Sequence, residues 1–145
     1  MNELAKPLRC TTQCKVPFYD VDQMRVAWHG SYFKYLERAR CDLLDLIHYG
    51  YREMEKSGYA WPVIDARIKY IKPMLFDAKV SIDAELVEYE NRLKMTYVIR
   101  DAATGTILTR AHTVQVAVAI TTGEMCFVSP PALLEKMRCH GYLPA

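Results

Sequence analysis

Apolar residues recur along this chain in two rhythms. Between Leu8 and Tyr19 the period is two: Cys10, Thr12, Cys14, Val16 and Phe18 alternate with Arg9, Thr11, Gln13 and Lys15, the pattern of a half-buried strand. Pro17 cannot donate a ladder hydrogen bond, so an edge or a bulge is expected near the end of that strand. From Ser31 to Tyr49 the rhythm becomes helical. Tyr32, Leu36, Ala39, Leu43 and Ile47 form a stripe that Phe33 and Leu44 widen, while Lys34, Arg38, Asp42 and Asp45 lie largely off it. This predicts an amphipathic helix about 28 Å long. Ser31 or the residue before it is the expected N-cap, and Gly50 the C-terminal stop.

The remaining chain is mostly strand-like. Tyr51–Ser57 predicts a short helix ended by Gly58. Tyr59–Ile71 is rich in β-branched and aromatic residues but interrupted by Pro62, Asp65 and Arg67, which predicts two strands or one bent strand. Lys72-Pro73 ends it, and Phe76-Asp77 reads as a turn. Lys79–Glu90 alternates through Val80, Ile82, Ala84 and Leu86, and Arg92–Asp101 through Leu93, Met95, Tyr97 and Ile99. Ala102–Gly105 is a hairpin turn. Thr106–Thr121 predicts a long strand with Val114, Val116, Val118 and Ile120 on its apolar face. Ser129-Pro130-Pro131 opens a last helix, and the tail Gly141–Ala145 is expected to be loose. The predicted class is α+β, one long helix wrapped by an antiparallel sheet that runs as a meander after the helix. A long sheet edge must be paired or covered, which points to a symmetric oligomer.

Composition narrows this picture. With 145 residues and 51% hydrophobic content, residues 1–145 are expected to form a single domain with its own core. A net charge of +2 gives no polycation and no expectation of nucleic acid as a partner. Met1–Pro7 lacks an apolar signal core, and no apolar run is long enough for a membrane span; the expected location is cytoplasmic. The five cysteines are odd in number and scattered, which suits reduced thiols rather than a disulfide framework. Cys10 and Cys14 have no second pair at ligand spacing, so no metal site is expected.

Candidate chemistry concentrates between Tyr19 and Arg40. Two carboxylates, Asp20 and Asp22, end a strand; His29 follows in a short loop; Gly30 and Ser31 open the long helix. A helix N-terminus presents unpaired N–H groups and partial positive charge. Such donors polarise a carbonyl oxygen while a nearby carboxylate attacks or deprotonates. The combination suits acyl transfer or hydrolysis.

The same residues carry a resemblance. Asp20-Val21-Asp22, then Val26-Ala27-Trp28-His29-Gly30-Ser31-Tyr32, then Glu37-Arg38-Ala39-Arg40 resemble the signature of hotdog-fold acyl-CoA thioesterases. Within them the likeness is to the 4-hydroxybenzoyl-CoA thioesterase branch, which includes the Tol–Pal-associated bacterial enzymes. Lys69-Tyr70-Ile71-Lys72-Pro73 leading to Phe76-Asp77 is similar to the family's Pro-x-x-x-x-Asp passage between strands. The resemblance runs roughly from Val16 to Pro131. It implies a hotdog fold, a curved antiparallel sheet around a long central helix, assembled as a dimer or tetramer. It implies hydrolysis of acyl-CoA with no cofactor.

By the same resemblance Asp22 falls on the catalytic carboxylate, acting as nucleophile through a mixed anhydride or as base on a water. His29 falls on the family's histidine, where the backbone N–H would polarise the thioester carbonyl. Tyr19, Gly30 and Ser31 would line the substrate site. Lys69 and Lys72, with Arg67, Arg92 and Arg110, are candidates for the phosphates of coenzyme A. One position departs: the family usually has Gly three residues after the catalytic Asp, and this chain has Arg25.

Several charged residues are expected in plainer roles. Asp20 reads as a turn or surface carboxylate, and Glu37 as an ion-pair partner of Arg38, Arg40 or a second chain. His112 reads as a sheet histidine, and His48 and His140 as surface residues. Two other functions stay open: hydrolysis of acyl groups on acyl carrier protein, and a non-catalytic hotdog domain that binds acyl-CoA or serves as a scaffold. A hotdog dehydratase would need a differently placed His–Asp pair on the helix.

Overall fold

A computed structural model describes residues 3–145. Its elements are β1 (Arg9–Lys15), α1 (Tyr32–Asp45), α2 (Tyr51–Lys56), β2 (Tyr59–Ala60), β3 (Val63–Tyr70), β4 (Lys79–Glu88), β5 (Leu93–Asp101), β6 (Ile107–Gln115), β7 (Val118–Ala119) and α3 (Pro131–Cys139). Five strands form one antiparallel sheet in the order β1-β4-β5-β6-β3, and β2 pairs with β7 in a small second sheet. The meander expected after the helix is β4-β5-β6. β1 closes one side of it, Arg9 facing Glu85, and β3 closes the other, Arg67 facing His112. This is the α+β hotdog layout.

Side-chain alternation explains which face is covered. Val80, Ile82, Ala84 and Leu86 of β4 and Leu93, Met95, Tyr97 and Ile99 of β5 are all buried, and α1 lies against β1 and β4. Each fully buried aliphatic side chain contributes roughly 1.5–3 kcal/mol. The helix buries Tyr32, Tyr35, Leu36, Ala39, Arg40, Leu43 and Leu44. Tyr35 and Arg40 take places the apolar pattern assigned to Phe33, which is exposed.

Three boundaries differ from the sequence expectation. β1 ends at Lys15, because Pro17 directs the chain into a 3-10 turn at Phe18–Asp20 instead of a continued strand. α1 ends at Asp45, four residues before Tyr49, and the left-handed residue that stops the chain is His48 (φ 53°), not Gly50. The Tyr49 N–H then returns to the Leu44 carbonyl at 3.1 Å, as in a Schellman closure. Gly50 instead precedes α2 as its N-cap. The long strand of Thr106–Thr121 is two strands, broken where Gln115 Nε2 donates to the Trp61 carbonyl at 2.7 Å.

The break expected within Tyr59–Ile71 falls at Trp61-Pro62. The C-terminal tail is tied down: the Ala5 N–H donates to the Tyr142 carbonyl at 2.8 Å, and Leu143 is buried. Among the described residues no helix is long and apolar enough to cross a membrane.

Candidate active site

The site is built where the chain leaves β1. After the 3-10 turn, Asp22 to Val26 fold into a tight loop: the Asp22 N–H donates to the Val26 carbonyl at 2.9 Å, and the Arg25 N–H to the Asp22 carbonyl at 3.0 Å. Asp22 Oδ1 accepts the N–H groups of Met24 (2.8 Å) and Val26 (3.3 Å), so the side chain also shapes its own turn. Among the described residues Oδ2 accepts no hydrogen bond, and the carboxylate is exposed. The turn requires a left-handed residue at Arg25 (φ 62°), the position where the resemblance has Gly. The Arg25 guanidinium lies over the Phe76 ring, 5.3 Å from its centroid.

This loop docks on the Pro73–Asp77 passage. Ala27 donates its N–H to the Met74 carbonyl at 2.7 Å, and Phe76 returns one to the Arg25 carbonyl at 2.9 Å. The two stretches that carry the family resemblance are therefore hydrogen-bonded to each other.

The helix start is fixed from three sides. A 3-10 turn at His29–Ser31 runs directly into α1. The N–H groups at such a start have no intrahelical acceptor. Ser31 does not cap α1 through its side chain; its buried hydroxyl donates to the Asp20 carbonyl at 3.2 Å. The Trp28 N–H donates to the same carbonyl at 2.8 Å. Gly30 leaves room for the Trp28 indole, since a Cβ there would stand 2.2 Å from the ring. The Tyr70 hydroxyl donates to the His29 carbonyl at 3.0 Å. The His29 ring is exposed beside the Trp28 ring, their centroids 4.8 Å apart.

Asp20 corrects its sequence expectation. It is no surface residue: its side chain is 4% exposed, with Oδ1 paired to the Lys34 ammonium and Oδ2 accepting the Tyr35 hydroxyl at 2.8 Å. Asp22, two residues further along, is exposed instead. Burial pushes the Tyr35 phenol well above its usual range, and the hydrogen bond to Asp20 adds to it, so Tyr35 remains a donor. The sequence carried one sign of this pair: a buried Tyr on a helix stripe needs a partner for its hydroxyl.

The other nominated residues are placed as follows. Tyr19 is exposed, with the Lys34 ammonium 5.6 Å from its ring centroid. Lys69 and Lys72 are not joined to the Asp20–Ser31 segment by any hydrogen bond or ion pair among the described residues. Lys69 stands opposite Arg110 across β3 and β6. Lys72 lines a cleft of about 310 Å³ with Pro73, Leu75, Asp101 and Leu108. Arg92 is paired with Glu88 at 3.0 Å. Glu37 forms the expected ion pair, with Arg40, and accepts the Tyr51 hydroxyl at 3.0 Å. His112 lies 3.7 Å from Asp65, and the rings of His48 and His140 stack at 4.5 Å. Between α1 and the sheet the core is filled by Tyr35, Leu36, Leu43, Met95 and Tyr97. Apolar surface is instead exposed around the loop at Phe18, Tyr19, Met24, Trp28 and Leu75.

Among the described residues no group of three His, Cys, Asp or Glu side chains is arranged to hold a metal ion. The arrangement offers an accessible carboxylate oxygen, donors at a helix start, and apolar surface beside both.

Residues 16–137 match the family model of the thioesterase-like superfamily. The chain belongs to that superfamily. Over 85 residues this thioesterase-like chain is 29% identical to the Bacillus subtilis protein named "Putative acyl-CoA thioesterase YneP", a match that covers 59% of the chain and 61% of YneP. It thus spans about three-fifths of that relative's length. Among solved structures it is similar to a DHNA-CoA thioesterase from Staphylococcus aureus (26% identity, TM-score 0.76, 82% of this chain and 80% of that one). It also shares its fold with Slr0204, a 1,4-dihydroxy-2-naphthoyl-CoA thioesterase from Synechocystis (19% identity, TM-score 0.77, 89% and 95% covered).

Proposed function

We propose that this chain is a single-domain thioester hydrolase acting on acyl-CoA, of the 4-hydroxybenzoyl-CoA thioesterase type, working as a homodimer or homotetramer in the cytoplasm. The observation that carries the proposal is the Asp22 carboxylate, exposed, held at Oδ1 by two backbone N–H groups and open at Oδ2, in a chain of the thioesterase-like superfamily. Superfamily membership supports the reaction class. The names of YneP and the Staphylococcus aureus neighbour support acyl-CoA as the substrate.

In one route Asp22 Oδ2 attacks the thioester carbonyl carbon. The C–S bond breaks, the coenzyme A thiolate leaves and takes a proton, and water hydrolyses the mixed anhydride. In the other, Asp22 takes a proton from a water whose oxygen attacks the same carbon; the C–S bond then breaks and the coenzyme A thiolate leaves with that proton. In both, the N–H groups at His29 and Gly30 stabilise the oxyanion, and the His29 side chain borders the site. Tyr19 and Ser31 flank the substrate, and the exposed apolar residues around the loop meet its acyl group. Lys69 and Lys72 are the proposed phosphate contacts. The β3 edge, exposed along nearly its whole length, is the surface that a second subunit would cover.

A second reading has a specific observation behind it. Arg67, Lys69 and Arg110 share the outer face of β3 and β6, and none has an acidic partner among the described residues. Such a face suits an acidic carrier protein as the acyl donor.

The test is thiol release from a panel of acyl-CoA thioesters, short to long and aromatic, with wild type and Asp22→Asn side by side. Turnover of one acyl class, with a loss of about 100-fold or more in Asp22→Asn, supports the proposal. Activity on acyl carrier protein substrates alone moves the reading to the second. No hydrolysis of either kind leaves an acyl-binding or scaffold domain.

A further inference from the structure

Asp20 makes four hydrogen bonds to one short segment. Its carboxylate oxygens take the Lys34 ammonium and the Tyr35 hydroxyl (2.8 Å), and its carbonyl takes the Trp28 N–H (2.8 Å) and the Ser31 hydroxyl (3.2 Å). All four donors lie in the last loop residue and first turns of the helix that carries the proposed oxyanion donors. Two residues further along the chain is Asp22, at the start of the tight turn it makes with Met24, Arg25 and Val26. The Asp20 side chain is 4% exposed, with both carboxylate oxygens bonded to the first turn of α1. A buried carboxylate is costly unless fully paired, so this one is held in a single arrangement by its surroundings.

We infer that Asp20 is a positioning residue of this site, fixing the separation between the Asp22 carboxylate and the backbone donors at His29 and Gly30. The inference rests on the proposed role of Asp22. It assigns Asp20 no contact with substrate. Asp20 acts through Asp22 on one side and through Lys34, Tyr35, Trp28 and Ser31 on the other. A displacement of the order of 1 Å between attacking group and donors costs on the order of 100-fold in rate. The effect therefore belongs in kcat, since substrate binding elsewhere on the surface is untouched.

The experiment compares Asp20→Asn, Tyr35→Phe and Asp22→Asn with wild type on whichever acyl thioester is turned over, reading kcat, KM, the pH–rate profile and thermal unfolding. Expected are a fall in kcat of roughly tenfold or more for Asp20→Asn and a smaller fall for Tyr35→Phe. KM should stay within about threefold. If Asp22→Asn loses its rate but Asp20→Asn and Tyr35→Phe, folded, keep wild-type kcat, positioning by Asp20 is overturned and the role of Asp22 stands. If only the unfolding temperature moves, Asp20 is a stability residue and the inference fails. If Asp22→Asn keeps its rate, both ideas fail together. Should Asp20→Asn not fold, Tyr35→Phe, which keeps the ring in place, decides alone.

Discussion

The Tyr70 hydroxyl, at the end of β3, donates to the carbonyl of His29 at 3.0 Å across 41 positions of sequence. Its ring also stands edge-on to Tyr32, centroids 4.7 Å apart. One aromatic residue of the edge strand thus steadies the turn that presents the helix-start donors. Tyr70→Phe keeps the ring contact and removes the hydrogen bond. The bond is exposed, so the expected cost is about 0.5–1 kcal/mol, together with a few-fold loss of kcat. Urea unfolding and steady-state kinetics on the same preparation check both.

Arg25 sets two effects against each other. A non-glycine residue in the left-handed region costs about 1–2 kcal/mol, while an exposed cation–π contact such as that with Phe76 returns about 0.5–1. The strain is the larger. Arg25→Gly is expected to raise the unfolding temperature by a few degrees, and Arg25→Ala, which keeps the strain and loses the ring contact, to lower it. Calorimetry of the two variants against wild type tests the order.

Glu37 is a structural partner on this geometry. Arg40 is almost fully buried; burial works against its charge, and the Glu37 carboxylate together with the Tyr51 and Tyr97 side chains outweighs that and raises its pKa above the usual value. Arg40 Nε has no hydrogen-bond partner among the described residues. Removing Glu37 leaves that cation poorly compensated. Because Glu37 is half-exposed, the cost of Glu37→Gln is set at about 1–2 kcal/mol, below that of a fully buried pair. The double variant Glu37→Gln with Arg40→Met should recover part of it, and kcat of Glu37→Gln should remain near wild type. A double-mutant cycle by denaturant unfolding measures the coupling.

The cysteines differ in reactivity. Burial first, and then the charge of Asp42, pushes the Cys10 thiol up to about 11 from an ordinary 9.0, and its Sγ–H donates to the Ala39 carbonyl at 3.6 Å. Cys139 is exposed. At pH 8 alkylation should reach Cys139 first and Cys10 last. A pKa raised on folding means that the native state holds its proton longer than the unfolded chain. This contribution is therefore fully present below about pH 9 and is lost as the pH rises toward about 11. Unfolding midpoints from pH 8 to 11, in wild type and Cys10→Ala, show whether the decline shrinks when Cys10 is absent.

Much of the fold was legible because α1, β4 and β5 each bury one clean face. What the pattern missed lies where tertiary pairing decides. Thr109, Ala111 and Thr113 of β6 stand opposite Ile99, Tyr97 and Met95 on the helix-facing side, though the valines at 114 and 116 looked the better candidates. Tyr97 and Thr113 join their hydroxyls at 2.8 Å, which makes a small polar residue fit there. The ties of Trp28 and Ser31 back to the Asp20 carbonyl lie within one stretch that the sequence already marked as a unit. Asp20 was misjudged because its partners, Lys34 and Tyr35, come a full loop later. The helix stop at His48 was hidden because the left-handed position carries an imidazole where glycine is the usual sign.

The order β1-β4-β5-β6-β3 also bears on how the chain reaches this state. β4, β5 and β6 are successive hairpin partners, whereas β1 must find β4 with Arg9 opposite Glu85 and the whole helical segment between them. Closing so long a loop is entropically expensive and slow beside a hairpin. The meander is the expected nucleus, with β1 docking onto it afterwards. Since the Asp20–Val26 loop hangs from the end of β1, the carboxylates come into register in the last stage of folding. A partly folded chain holding a complete meander would therefore have most of its sheet without the loop that carries Asp22.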